Sequence, residues 1–204
     1  MTKTVVRYFF DFVEGQEKWL NKMALSGYRL VDCGKLTYKF ESGAPGEYAY
    51  AVEFVADKSN SKAKDYRRFL EDAGFRTLTK NFNLNFSVGK ARWRPWADAD
   101  GQVSTSPGSY NKELLIIEKE SDGKPLDLHT DMRELSAFFG TIRNSYLMAV
   151  LLLAFFGIAG FTSLITMPVW GSIIFCVVGI LFIIPAAKYA GIAWRYKQES
   201  RTNE

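Results

Sequence analysis

The stretch NSYLMAVLLLAFFGIAGFTSLITMPVWGSIIFCVVGILFIIPAA, residues 144–187, decides the architecture. It contains no Asp, Glu, Lys or Arg. It divides at Thr166-Met167-Pro168 into two arms, Tyr146–Ile165 and Val169–Ala187. Each arm is close to the ~20 apolar residues that a helix needs to cross ~30 Å of hydrocarbon. Only helices and closed barrels satisfy their backbone in lipid, and these arms lack the polar alternation of barrel strands. The reading is a two-helix transmembrane hairpin with a short turn. A buried helical hairpin in a soluble core is the alternative, and no other part of the chain is apolar enough to surround one.

The flanks set the expected orientation. Arg143 precedes the first arm, and Lys188, Arg195, Lys197 and Arg201 follow the second, while the turn is uncharged. An excess of Lys and Arg marks the cytoplasmic side. The expectation is a multi-pass cell-membrane protein with both termini cytoplasmic. Tyr146, Trp170, Tyr189, Trp194 and Tyr196 fall where an aromatic belt would lie. Inside the spans, Gly157, Gly160, Gly179 and Ala186 are small residues that let helices approach closely. No ionisable group sits mid-span, which argues against a free-standing ion-coupled carrier.

The chain has 204 residues, a net charge of +4 and a pI near 9.0. That balance suits an anionic leaflet and does not demand nucleic acid. The start, Met1-Thr2-Lys3-Thr4, carries no apolar signal core, so the polar part is expected in the cytoplasm. The two cysteines, Cys33 and Cys176, are read as small packing residues without a disulfide between them.

Before the hairpin, patterning alternates between strand and helix. Val5–Phe12 reads as strand. Glu14–Ser26 reads as a helix with Trp19, Leu20, Met23 and Ala24 on one face and Glu17, Lys18, Asn21 and Lys22 on the other. Gly27 closes it. Tyr28–Cys33, Leu36–Glu41 and Glu47–Val55 follow as strands. A second helix over Ser61–Ala73 presents Tyr66, Phe69 and Leu70, and Gly74 closes it. Phe75–Lys80, Phe82–Val88 and Lys112–Glu120 read as strands. Gly27-Tyr28-Arg29 lines up with Gly74-Phe75-Arg76, and Trp19 with Tyr66. The order suggests a duplicated αβββ unit whose strands form one antiparallel sheet with two helices on one face.

The expected organisation is an α+β cytoplasmic domain over 1–125, a juxtamembrane helical linker over 126–144, the transmembrane hairpin over 145–197 and a tail over 198–204. In the linker, Met132, Leu135, Phe138, Phe139 and Ile142 form one helical stripe, and Thr130 or Asp131 suits its N-cap.

Catalytic signals are missing from the sequence. There is one histidine, His129. No Cys/His set has zinc spacing, no Ser or Cys has a His to activate it, and no Gly-rich phosphate loop precedes a helix. Asp98 and Asp100 lack the closing Glu of a calcium loop. No cofactor and no enzymatic activity are expected. One cluster, Lys90-Ala91-Arg92-Trp93-Arg94-Pro95-Trp96, interleaves bases with tryptophan at the head of the long insertion Gly89–Asn111. Arg92, Trp93, Arg94 and Trp96 are therefore candidates for contact with a membrane or a protein partner. The other reading is a strand end whose tryptophans cap the core. Nucleic acid is disfavoured, because no wider basic field accompanies the cluster.

The run Phe9-Phe10-Asp11-Phe12, Glu17-Lys18-Trp19-Leu20-Asn21-Lys22-Met23-Ala24, Gly27-Tyr28-Arg29-Leu30, then Tyr38-Lys39-Phe40-Glu41 and Pro45-Gly46-Glu47-Tyr48, resembles the bacterial family numbered 2812 among the domains of unknown function. Phe69-Leu70-Glu71-Asp72-Ala73-Gly74-Phe75 and Thr130-Asp131 fit it too. The resemblance implies a membrane-anchored bacterial protein whose relatives often accompany PadR-like regulators, and it carries over no catalytic residue. The function expected is a regulatory or protein-interaction module at the cytoplasmic membrane face. An accessory subunit of a transporter is the alternative. The lipid bilayer and a regulator or transporter protein are the expected partners, and a homo-oligomer is compatible with both.

Overall fold

In the computed structural model, residues 2–55, 60–80, 86–88, 91–93, 103–104, 114–122, 126 and 132–202 are described. They fall into two compact units, Met1–Thr130 and Asp131–Glu204.

The first unit is mixed α+β. Its elements run β1 (Thr2–Val6), α1 (Glu14–Leu25), β2 (Tyr28–Cys33), β3 (Thr37–Ser42), β4 (Tyr48–Phe54), α2 (Asn60–Asp72), β5 (Arg76–Lys80), β6 (Phe86–Val88), β7 (Ala91–Trp93), β8 (Val103–Ser104) and β9 (Leu114–Glu120). All strand pairs among the described residues are antiparallel. They form three three-stranded sheets, ordered β1-β3-β2, β4-β9-β5 and β6-β7-β8.

The first two sheets repeat one plan. Each is strand, helix, strand, strand, with the last strand in the middle. The duplication is therefore framed as βαββ, one strand earlier than the expected αβββ. In this frame β4 matches β1, and β9 matches β3. Register supports the match: Arg29 on β2 faces Glu41 on β3, and Arg76 on β5 faces Glu118 on β9. Gly27 and Gly74 end the two helices at φ 79° and 88°, a backbone region that residues with a Cβ rarely enter.

The helices cover matching faces. Trp19 on α1 packs edge-on against Tyr38 and Phe40 of β3, at 4.9 and 5.5 Å between ring centroids. In the second half, Leu70 of α2 packs with Leu115 and Ile117 of β9, and Tyr66 and Phe75 join them. Phe69 does not join this core and stays 66% exposed. The stripe of α2 that turns inward is Ala63, Tyr66 and Leu70, spaced i, i+3, i+7, and Phe69 falls beside it.

Two expectations shift. β1 is Thr2–Val6 and not Val5–Phe12, because its pairing with β3 ends at Val6 opposite Thr37. The chain then leaves the ladder, and Phe9 and Phe12 bury themselves in the core, with Phe9 against Trp19. The polar side of α1 is also used. Asn21 takes both the N–H and the C=O of Tyr50, at 2.8 and 2.7 Å, and Glu17 accepts from the N–H of Val52 at 3.0 Å. Those groups lie on the edge strand β4, which would otherwise offer its backbone to another chain.

The second unit is a helical pair. α3 (Met132–Phe161) and α4 (Val169–Thr202) are both long and apolar enough to cross a membrane. At 1.5 Å per residue they measure about 45 and 51 Å. α3 runs unbroken from the segment expected as a linker into the first arm.

Candidate functional site

Among the described residues of the first unit, two buried clusters join three or more polar side chains, and neither forms a motif in the sequence. The first is centred on Glu118, which is 2% exposed. On β9 it stands between Tyr50 of β4 and Arg76 of β5 in register. The Tyr50 hydroxyl donates to it at 2.8 Å. Arg29 donates to Oε1 through Nε and Nη2 at 3.0 and 2.8 Å, and Arg76 Nη1 reaches both oxygens at 3.3 and 3.2 Å. The two repeat-equivalent arginines thus converge on one carboxylate. Charge-assisted bonds of this kind are among the strongest available to a side chain. Burial pushes the Tyr50 phenol above its ordinary range, and the adjoining carboxylate raises it further.

The same cluster explains why the strands do not merge into one sheet. β2 carries an irregularity between Leu30 and Asp32. There the Leu30 N–H donates to the Tyr50 hydroxyl at 2.8 Å. Arg76 donates to the carbonyls of Leu30 and Val31, each at 2.9 Å. Side chains occupy the backbone groups through which β5 would have paired. Glu41 lies 3.7 Å from Arg29, so the two guanidiniums face two carboxylates. Both Glu118 oxygens are engaged, and the cluster fastens the two halves.

The second cluster is less balanced. The Tyr38 hydroxyl donates to Gln16 Oε1 at 3.0 Å and accepts from Lys80 Nζ. All three side chains are buried, Gln16 and Tyr38 completely and Lys80 to 2% exposure. Burial pushes the Lys80 ammonium down to about 8, partly offset by nearby Cys33. Burial likewise raises the Tyr38 phenol, with Cys33 adding to the rise and Arg7 opposing it. Cys33 is half-buried, with Sγ 3.9 Å from the Thr79 carbonyl. Among the described residues, no group of three or more His, Cys, Asp or Glu could hold a metal ion. In the sequence Gln16, Tyr38 and Lys80 each read as an ordinary helix or strand position, so no local signal marks the cluster.

The residues singled out in the sequence are distributed as follows. Arg92 and Trp93 lie on β7, with Arg92 opposite Ser87 and Ser104, and Trp93 opposite Phe86 and Val103. Arg94 and Trp96 lie outside the described residues, as do Lys90, Asp98, Asp100, His129, Thr130 and Asp131. In the second unit Gly157, Gly160 and Gly179 of the helical pair face the opposite helix. A Cβ on Gly157 would come within 2.5 Å of Cys176 Sγ, one on Gly160 would collide with Ser172 Oγ, and one on Gly179 would touch Leu153. Ala186 is 3% exposed. The aromatic residues expected at a membrane belt differ in exposure. Trp170 and Trp194 are 66% and 64% exposed, but Tyr189 and Tyr196 are buried, stacked on Phe139 at 6.1 and 5.6 Å. The reason is helical phase: Tyr189, Ala193 and Tyr196 recur at the i, i+4, i+7 spacing of one buried stripe.

No curated protein and no solved structure matches the chain. A family model does, over residues 12–151, and its description is a protein of unknown function, DUF2812. The match takes in both βαββ halves from the turn before α1 onward and ends inside α3. It covers more than half of the 204 residues, and the chain belongs to the DUF2812 family.

Proposed function

We propose that this is a membrane-anchored bacterial regulatory or protein-interaction module that works at the cytoplasmic face. The observation that carries the reading is the pair α3 and α4, with their uncharged run from Asn144 to Ala187 and the basic residues confined to its two ends. Their lengths of about 45 and 51 Å exceed the ~30 Å of hydrocarbon, so each helix continues past the bilayer on the side of its charges. The partner contact includes the insertion that carries Arg92, Trp93, Arg94 and Trp96.

Crosslinking in cells tests the proposal, comparing the full chain with the hairpin alone. Partners captured only by the full chain, and lost when Arg92 and Arg94 are both changed to Ala, fit the module. Partners retained by the hairpin alone point to a transporter accessory subunit and overturn it.

A further inference from the structure

The polar groups around Tyr38 do not balance. Lys80 has only donors, so the phenol oxygen must accept from it and give its own hydrogen to Gln16. That direction fixes the amide as well: Oε1 faces the phenol, and Nε2 points away from it. Nε2 then has no partner, although Gln16 has no exposed surface. The ammonium has three hydrogens, and the phenol oxygen takes one. The Tyr38 ring face lies 4.2 Å from the ammonium at the centroid. Among the described residues no carboxylate pairs with Lys80.

Buried donors without acceptors are destabilising, and a buried cation without a counter-ion more so. The missing partner can be described by its chemistry. It offers acceptor atoms to two nitrogen groups on either side of one phenol. It carries one negative charge to answer the ammonium, which is still charged at neutral pH. A water molecule supplies the acceptor but not the charge. The surroundings limit its size, since Trp19 and Phe9 pack against the Tyr38 ring at 4.9 and 6.0 Å.

We infer that Gln16 Nε2 and Lys80 Nζ form a binding site for a small carboxylate, closed on one side by the Tyr38 hydroxyl. Oxygens of the carboxylate accept from the amide and the ammonium and leave the Gln16–Tyr38–Lys80 chain intact. The inference is independent of the membrane reading, because it rests only on groups within the first unit.

Acetate is the probe, and the thermal midpoint of the detergent-solubilised full chain is the readout. A ligand that binds only the folded state raises that midpoint with concentration. Acetate is expected to raise it above the value in chloride of equal ionic strength. Gln16→Leu and Lys80→Met are each expected to remove the difference. No acetate-specific rise in the unsubstituted protein overturns the site, and so does a rise that persists in either variant. If those variants fail to fold, Gln16→Glu decides. It replaces the orphan donor with an acceptor and a charge, so it should raise the midpoint and abolish the response to acetate. An acetate response retained in Gln16→Glu also overturns the inference.

Discussion

At the scale of single residues, Glu118 and Lys80 show opposite solutions to burying a charge. Glu118 is surrounded by Arg29, Arg76 and Tyr50. Removing one partner of such a network costs about 3–5 kcal/mol, because the charges left behind stay buried. Glu118→Ala should therefore lower the thermal midpoint of the full chain sharply, and Glu118→Gln, which keeps an acceptor for Tyr50, should lower it less. Equal midpoints for Glu118→Ala and the unsubstituted protein would show that the cluster fastens nothing. Lys80 has the reverse signature. Its folded-state value of about 8 lies below the ordinary 10.5, so the unfolded chain binds more protons between those values. Stability then rises with pH from about 8. The buried phenols Tyr38, Tyr50 and Tyr66 are raised, so the folded chain holds their protons longer and stability falls again above about 10. The midpoint should pass through a maximum between these limits, and Lys80→Met should erase the rising limb. A rising limb that survives in Lys80→Met would remove Lys80 as its source.

At the scale of elements, the two halves are matched in plan and unequal in packing. Trp19 is 9% exposed and touches three aromatic rings, whereas Tyr66, at the equivalent place, is half-buried and donates to Glu53 at 2.7 Å. Truncating a large core aromatic to Ala costs roughly 3–5 kcal/mol. Trp19→Ala should cost more stability than Tyr66→Ala in the same denaturation assay, and the opposite ranking would place the main core under α2. The helical pair makes its own prediction. A Cβ at Gly160 would strike Ser172 and Met167, while one at Gly140 or Gly191 meets nothing within 4 Å. Gly160→Leu should separate the helices and lower the midpoint in detergent. Gly140→Ala should hold it level or raise it, since Gly in a helix interior costs ~1 kcal/mol relative to Ala. Tolerance of Gly160→Leu would mean that the α3–α4 contact is not a close one.

At the scale of the whole molecule, the proposed topology places the α3–α4 turn outside and the C-terminal end of α4 inside. A cysteine at Thr166 should react with an impermeant thiol reagent on intact cells, and one at Thr202 should not. The reverse labelling would put the βαββ halves on the outer face. The hairpin could be read directly from residues 144–187, because hydrophobic length and absence of charge are properties of contiguous chain. The two helices of the first unit were legible for a similar reason: their apolar spacing and the closing Gly27 and Gly74 lie within a few turns of one another. The linked Arg29 and Arg76 were visible as a repeat but not as neighbours. What the tertiary structure alone decided is which strands pair, and hence the frame of the duplication. Glu118 lies 89 residues from Arg29 and 42 from Arg76. Each of the three reads locally as an ordinary charged strand residue. Gln16 likewise looks like a solvent-side helix position until Tyr38 and Lys80, 22 residues from it and 42 from each other, close over it. Periodicity records which face a residue takes on its own element. It holds no information about the partner that a distant strand brings to that face, and the polar balance of both clusters depends on that partner.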